Sequence, residues 1–303
     1  MLVISSSSQQ ATKCIFCLSV LSVISLILCI FCIPVSCARI EVSHTHLTAY
    51  PIGDPQWQED MRLELKKTGV LQLSHFLTPE ALSSVTLESA QGLAQAWFDP
   101  RHHNIYLSED DPDFPPDHIR NRHFLSSKGC ITDDQISSKS PLKCLYNNPT
   151  FTNALATILN EEKLYAYADS LSSINIHYAR LGEGLNWHFD NSSFAVTLMI
   201  SPAMKGGDFE YVRDVRDADR GEMGYDLAAS VVNGDTVVNA LTLTPGDLLL
   251  FRGRNSLHRV TSVTDAQSVR QLATLAYNNT PGAALSEKAR MTFFGRLGEV
   301  NLS

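Results

Sequence analysis

The chain has 303 residues, 44% of them hydrophobic and 18% charged, enough apolar material for a substantial core, which excludes a disordered, collagen-like or coiled-coil protein. Its 24 basic residues against 32 acidic ones give a net charge of −8, and no stretch stacks Lys and Arg on one face, so nucleic acid is not an expected partner.

In chain order, the first feature is the uncharged run from Cys14 to Ile33, preceded by Lys13 and followed by Pro34 and the small residues Ser36 and Ala38. Residues 1–38 therefore read as a signal peptide or a signal anchor. Either puts the rest of the chain in the secretory pathway, touching a membrane only if the segment is uncleaved. Five of seven cysteines fall within this segment, leaving Cys130 and Cys144, which could close a disulfide or stand as two separate thiols.

Residues 39–165 read as a helix-rich support region. A helix is expected over 57–67, before Gly69. Another should start at Thr78, with a capping hydroxyl, Pro79 in the first turn and Glu80 behind it, and continue through Trp97 to the break at Asp99-Pro100. The stretch 101–139 lacks periodicity and reads as a long loop; its His and Asp residues have no spacing that fixes a metal-coordinating face. A short helix follows near 151–159. From about residue 166 the texture changes to short strand-like runs at 174–181, 194–200, 209–212, 236–243, 248–251, 259–263 and 271–277, separated by turn residues, which means a sandwich or barrel. The charged stretch 213–235 reads as an excursion loop able to cover a site at the barrel mouth.

The chemistry sits in Trp187-His188-Phe189-Asp190 and in His258. Side chains two apart on an extended chain share a face, so His188 and Asp190 can converge while Phe189 points away. With a histidine from a distant strand they make two imidazoles and one carboxylate, which cap one face of an octahedral metal and leave three positions open. Alone, the pair could equally be a satisfied polar pair on a strand. Arg270 adds context: it heads an apolar strand, where a buried guanidinium needs an anion, and a dicarboxylic co-substrate chelating the metal supplies one.

The text from Leu185 to Leu198, Gly206-Gly207-Asp208-Phe209-Glu210-Tyr211-Val212, Pro245-Gly246-Asp247, Phe251 to Arg254 and Ser256 to Thr261, with Ser127 to Thr132 upstream, resembles the Fe(II)- and 2-oxoglutarate-dependent dioxygenases. Within them it is similar to the branch of free-amino-acid hydroxylases and lysine halogenases. The resemblance implies an α+β protein with a mainly β core over 166–303, a double-stranded β-helix of jelly-roll or cupin type. It implies Fe(II) on His188, Asp190 and His258, 2-oxoglutarate held by Arg270, O2 as oxidant and ascorbate as reductant. Tyr178, on the strand before the metal motif, would also bind 2-oxoglutarate. Asn191, Phe209 and Tyr211 are candidate substrate residues, although Phe209 and Tyr211 read equally well as core. Halogenases of this branch carry Gly or Ala where Asp190 stands, which opens a position for chloride, so the resemblance implies a hydroxylase.

The expected activity is hydroxylation of an unactivated C–H bond of a small molecule, an amino acid or an amino-acid-like metabolite, with release of succinate and CO2. Three alternatives stand beside it. A prolyl or lysyl hydroxylase of protein side chains would suit the N-terminal segment. A non-catalytic binding protein on the same scaffold would be expected to lack a ligand, and a zinc hydrolase would leave Arg270 without a role.

Overall fold

The computed structural model describes residues 47–300. The N-terminal segment read as a signal or anchor lies outside them, and no helix among the described residues is long and apolar enough to cross a membrane.

Local chemistry sets the element ends. Helix α1 (Pro55–Thr68) is capped by Asp54, which accepts from the Gln56 N–H at 2.9 Å, and it stops at Gly69 with φ 74°, a left-handed conformation that favours glycine. Strand β1 (Val70–Leu73) follows, then α2 (Pro79–Gly92), capped by Thr78 as the sequence predicts. Helix α2 does not reach Trp97, however. A 3-10 turn at Leu93–Gln95 ends it, and Trp97 lies in strand β2 (Trp97–Phe98). The stretch expected as a loop carries a hairpin, β3 (Arg101–Asn104) with β4 (His123–Ser126), and then β5 (Gly129–Ile131). Short helices α3 (Pro141–Tyr146) and α4 (Pro149–Leu159) lead into β6 (Ile174–Ala179), β7 (Leu185–His188), β8 (Ala195–Ser201) and β9 (Phe209–Val212). The excursion contains helix α5 (Tyr225–Asn233) before β10 (Asn239–Leu241), β11 (Leu248–Phe251), β12 (Leu257–Val260), β13 (Arg270–Leu275) and α6 (Glu287–Phe294).

The strands form a seven-stranded sheet, β1-β11-β8-β13-β6-β5-β2, and a four-stranded sheet, β10-β9-β12-β7, the two faces of a double-stranded β-helix. The region before residue 166 thus gives the larger sheet three of its strands as well as the helical layer. That sheet is buried on both faces. Ile174, Ile176 and Tyr178 of β6 and Ala273 and Leu275 of β13 join the core shared with Leu65, Val85 and Leu155 of the helices. Opposite them Met199, Leu249, Phe251 and Leu272 meet Phe209 and Tyr211 inside the barrel.

This alternation decides two expectations. Cys130 and Cys144 are free thiols. Ile131 of β5 faces the helical core, so its neighbour Cys130 turns the other way, into a cluster with Leu171 and Phe294, whereas Cys144 on α3 packs on the helical side. Tyr178 also turns its ring to the helices: its hydroxyl donates to the Ser89 carbonyl at 2.8 Å, so that hydroxyl is not the donor to 2-oxoglutarate that the sequence suggests.

Candidate active site

Antiparallel pairing of β7 and β12 sets His188 directly opposite His258, with ring centres 4.3 Å apart. Their neighbours Trp187, Phe189 and Leu257 turn outward into a second apolar cluster with Ile105, Tyr106 and Val215, which fixes the inward direction of both imidazoles. Asp190 follows β7 by two residues, and its N–H donates to the Gly253 carbonyl at 3.1 Å. One ligand atom from each of His188, Asp190 and His258 lies within 4.8 Å of the others, and no other such group occurs among the described residues.

The donor set fits a divalent metal. The carbonyls of Asn186 and Ser256 lie 2.7 and 3.0 Å from Nδ1 of His188 and His258. A carbonyl only accepts, so Nδ1 carries the proton on each ring, and the Nε2 lone pairs face Asp190 Oδ1 at 3.9 and 3.5 Å. Asp190 Oδ2 is enclosed and has no hydrogen-bond partner, a cost that a cation would remove. Burial, with His258 beside it, pushes His188 down to about 3, the neutral state a metal ligand needs. Burial alone would raise Asp190, but His258, His188 and Lys128 outweigh it and hold the carboxyl below its ordinary range.

Between β6, β7, β12 and β13 lies a small cavity of about 40 Å3 bordered by Lys128, His177, Tyr178, Leu185, Val260, Arg270 and Leu272. His177 and Leu272 are register partners on β6 and β13 and both face inward. Arg270 is 6% exposed, and its Nε donates to the Gly207 carbonyl at 2.9 Å. Burial lowers its guanidinium to about 10, against the opposing charge of Asp208. Lys128 Nζ sits 3.1 and 3.0 Å from the two ring nitrogens of His177. Burial, then the charges of Lys128 and Arg270, push His177 well below its ordinary value, and burial lowers Lys128. Among the described residues no carboxylate lies within ion-pair distance of Arg270 or Lys128. Two cations converging on an enclosed space without an anion fit a dicarboxylate.

Sequence reasoning found Arg270 and missed Lys128 and His177. The alternation of Ile174, Ile176 and Tyr178 with polar Asn175 and His177 carried a signal for His177; Lys128 carried none.

A larger cavity of about 380 Å3, which shares Lys128 and Leu185 with the first, opens on His188 and Asp190. Asn191 stands on its border, and its carbonyl accepts from Arg254 at 3.1 Å. Phe209 and Tyr211 do not border it. They pack inside the barrel against Phe251, with Phe209 5.7 Å from His258 between ring centres, so they support the site from beneath. The excursion packs on the outward face of the metal strand, where Arg216 stacks 4.2 Å over Phe189 and donates to the Asp190 carbonyl at 3.3 Å, and none of its residues borders the larger cavity.

A family model described as HalD, Halogenase D, matches residues 54–290. Among solved structures the chain is similar to the epimerase SnoN in complex with Fe3+, alpha-ketoglutarate and nogalamycin RO, at 12% identity and a TM-score of 0.53, covering 82% of this chain and 94% of that one. It is also similar to the alpha-ketoglutarate-dependent carbocyclase SnoK of nogalamycin biosynthesis, at 12% identity and a TM-score of 0.51, covering 72% and 83%. At such identities the likeness is one of fold. No curated protein sequence matches the chain.

Proposed function

The chain belongs to the Halogenase D family, and on that premise we propose that it is an Fe(II)- and 2-oxoglutarate-dependent oxygenase that hydroxylates an unactivated C–H bond of a small molecule. Asp190 carries this reading: a carboxylate stands beside His188 and His258 with one oxygen enclosed and unpartnered. It fills the position that a halogenase of this branch leaves open for a halide.

His188 and His258 through Nε2, with Asp190, would hold Fe(II), and Arg270 and Lys128 would hold the carboxylates of 2-oxoglutarate. With both bound, the chemistry supplied is RH + 2-oxoglutarate + O2 → ROH + succinate + CO2. The chain's own part is placement and exclusion. Asn186 and Ser256 carbonyls keep each imidazole in one tautomer and orientation. Phe209, Tyr211 and Phe251 keep water from the barrel side of the site. The larger cavity sets one substrate C–H bond beside the triad, where its orientation decides the outcome.

The test is succinate release by the full-length protein with Fe(II), ascorbate and 2-oxoglutarate over a panel of small molecules in chloride buffer, with products weighed by mass spectrometry. Substrate-triggered succinate with a product heavier by one oxygen is expected, and Asp190→Ala should abolish it. A chlorinated product, or full activity in Asp190→Ala, would refute the assignment of Asp190.

A further inference from the structure

The cavity in front of the triad says what kind of molecule it takes. Its outer wall is made by Trp97 of β2 with Leu285 and Phe293 from the C-terminal segment. Trp97 is 46% and Phe293 50% exposed. Two large rings left half in water at the mouth of a cavity are apolar surface that a ligand would cover. Both are held in place. Trp97 pairs through β2 with Cys130 and lies against Gly295, where a Cβ would come within 2.6 Å of its indole. Just beyond α6, Arg296 clamps the segment through two bonds of 2.6 Å to the Asp134 carboxylate.

The charged groups bordering the same cavity are already engaged. Asp99 accepts from Arg101 Nε at 2.7 Å. His103 contacts the Ser126 hydroxyl through Nε2 at 2.7 Å and the Asn104 carbonyl through Nδ1 at 3.0 Å. Lys128 turns to His177 and the co-substrate cavity, and Asp190 belongs to the triad. Apart from Lys128 and Asp190, a zwitterion entering here would meet charge only in the Asp99–Arg101 pair, two partly exposed groups already bonded to each other, and would recover little of the hydration it loses. Only neutral polar groups such as Asn191, Ser192 and Thr292 remain to orient a ligand.

From this we infer that the substrate is an uncharged molecule with an aromatic or branched hydrocarbon body, seated between Trp97 and Phe293, in place of a free amino acid. The inference rests on the oxygenase reading and names its substrate class.

The experiment uses the full-length protein loaded anaerobically with Fe(II) and 2-oxoglutarate, whose chelate gives a visible charge-transfer band. Indole, cinnamyl alcohol and geraniol are titrated as neutral apolar probes, and L-lysine, L-leucine and L-tyrosine as zwitterions. The neutral probes should perturb the band saturably and the amino acids should not. Trp97→Ala and Phe293→Ala should each weaken the best probe by about tenfold through lost apolar contact. The 2-oxoglutarate titration itself should keep its midpoint in both variants, which shows that they are folded and loaded. Silence from every neutral probe, saturation by an amino acid at lower concentration, or unchanged affinity in both variants overturns the inference. Absence of the charge-transfer band in the unmodified protein overturns the oxygenase reading beneath it.

Discussion

Gly253 sets the room for the metal carboxylate, and Gly253→Ala measures how much of it is needed. A Cβ at residue 253 would lie 1.9 Å from Asp190 Oδ2, 2.6 Å from Cγ and 3.1 Å from Cβ. The Gly253 backbone is not in the left-handed region, so alanine costs no conformational strain and the effect is one of space alone. Since carbon atoms do not approach such neighbours closer than 3.0 Å, the carboxylate must retreat by about 1 Å. Metal–ligand distances tolerate only about 0.2 Å, so Asp190 leaves the coordination sphere. We expect metal affinity to fall by about 10- to 100-fold, or about 1.4–2.8 kcal/mol, with the fold retained. The assay is anaerobic Fe(II) titration by calorimetry beside a thermal melt. A double-mutant cycle with Asp190→Gly isolates the mechanism: once the carboxylate is gone the clash is gone, so the double variant should bind metal like Asp190→Gly alone. Affinity within twofold of wild type in Gly253→Ala, or additive losses in the double variant, would refute the reasoning.

Three further outcomes follow from the same contacts. Arg270→Leu removes a buried charge-assisted partner and should weaken 2-oxoglutarate binding by about 2–5 kcal/mol in the charge-transfer titration; a shift confined to the primary substrate would assign Arg270 to that molecule. Lys128→Met should cost about 1.5–3 kcal/mol in the same titration, and no change would detach Lys128 from the co-substrate. Asp247 accepts from the His75 and Thr244 N–H groups, the Thr244 hydroxyl and the Gln72 amide at 2.8–2.9 Å, so Asp247→Ala strands four donors and should lower stability by about 1–3 kcal/mol in urea. Burial raises this carboxyl, but those bonds hold it below its ordinary range. A depressed folded value means the stabilisation is complete above the unfolded value, about pH 4, and is lost as pH falls through the folded one, so wild type and variant should converge in acid. A gap that persists there would remove the charge from the explanation.

The triad was legible because period two supplies the His188–Asp190 pair and because Arg270 and the resemblance of the flanking text gave that pair its meaning. His188 and Asp190 share a face in any extended chain, and His258 opens a run with β-branched Val260, Thr261 and Val263 that reads as a strand. The caps at Thr78 and Gly69 are equally local, one opening its helix and the other ending one as read. The errors share a cause of a different kind. Tyr178 was assigned to 2-oxoglutarate, and the pairing of Cys130 with Cys144 stayed open, because the larger sheet is buried on both faces, and apolar residues on both sides tell a reader that a strand is central, not which face meets the helices. Trp97 continued a helical stripe in sequence, yet pairing with Cys130 in the sheet overrode a weak local preference.

Lys128 and His177 were illegible for a third reason. A lysine in sequence looks like any solvated charge, and its meaning arises only when neighbouring strands enclose it with Arg270 and provide no carboxylate. Want of a partner is a property of three-dimensional surroundings, so the residues that announce a ligand most clearly are the ones a linear reading ranks lowest. Asp99 and Arg101, by contrast, are bonded to each other in space, and the wall beside them between Trp97 and Phe293 is apolar. On the proposed reading, an unmatched pair of cations in the small cavity and apolar rings at the larger one would divide the labour: charge would select the co-substrate, and shape and hydrophobicity the molecule to be oxidised.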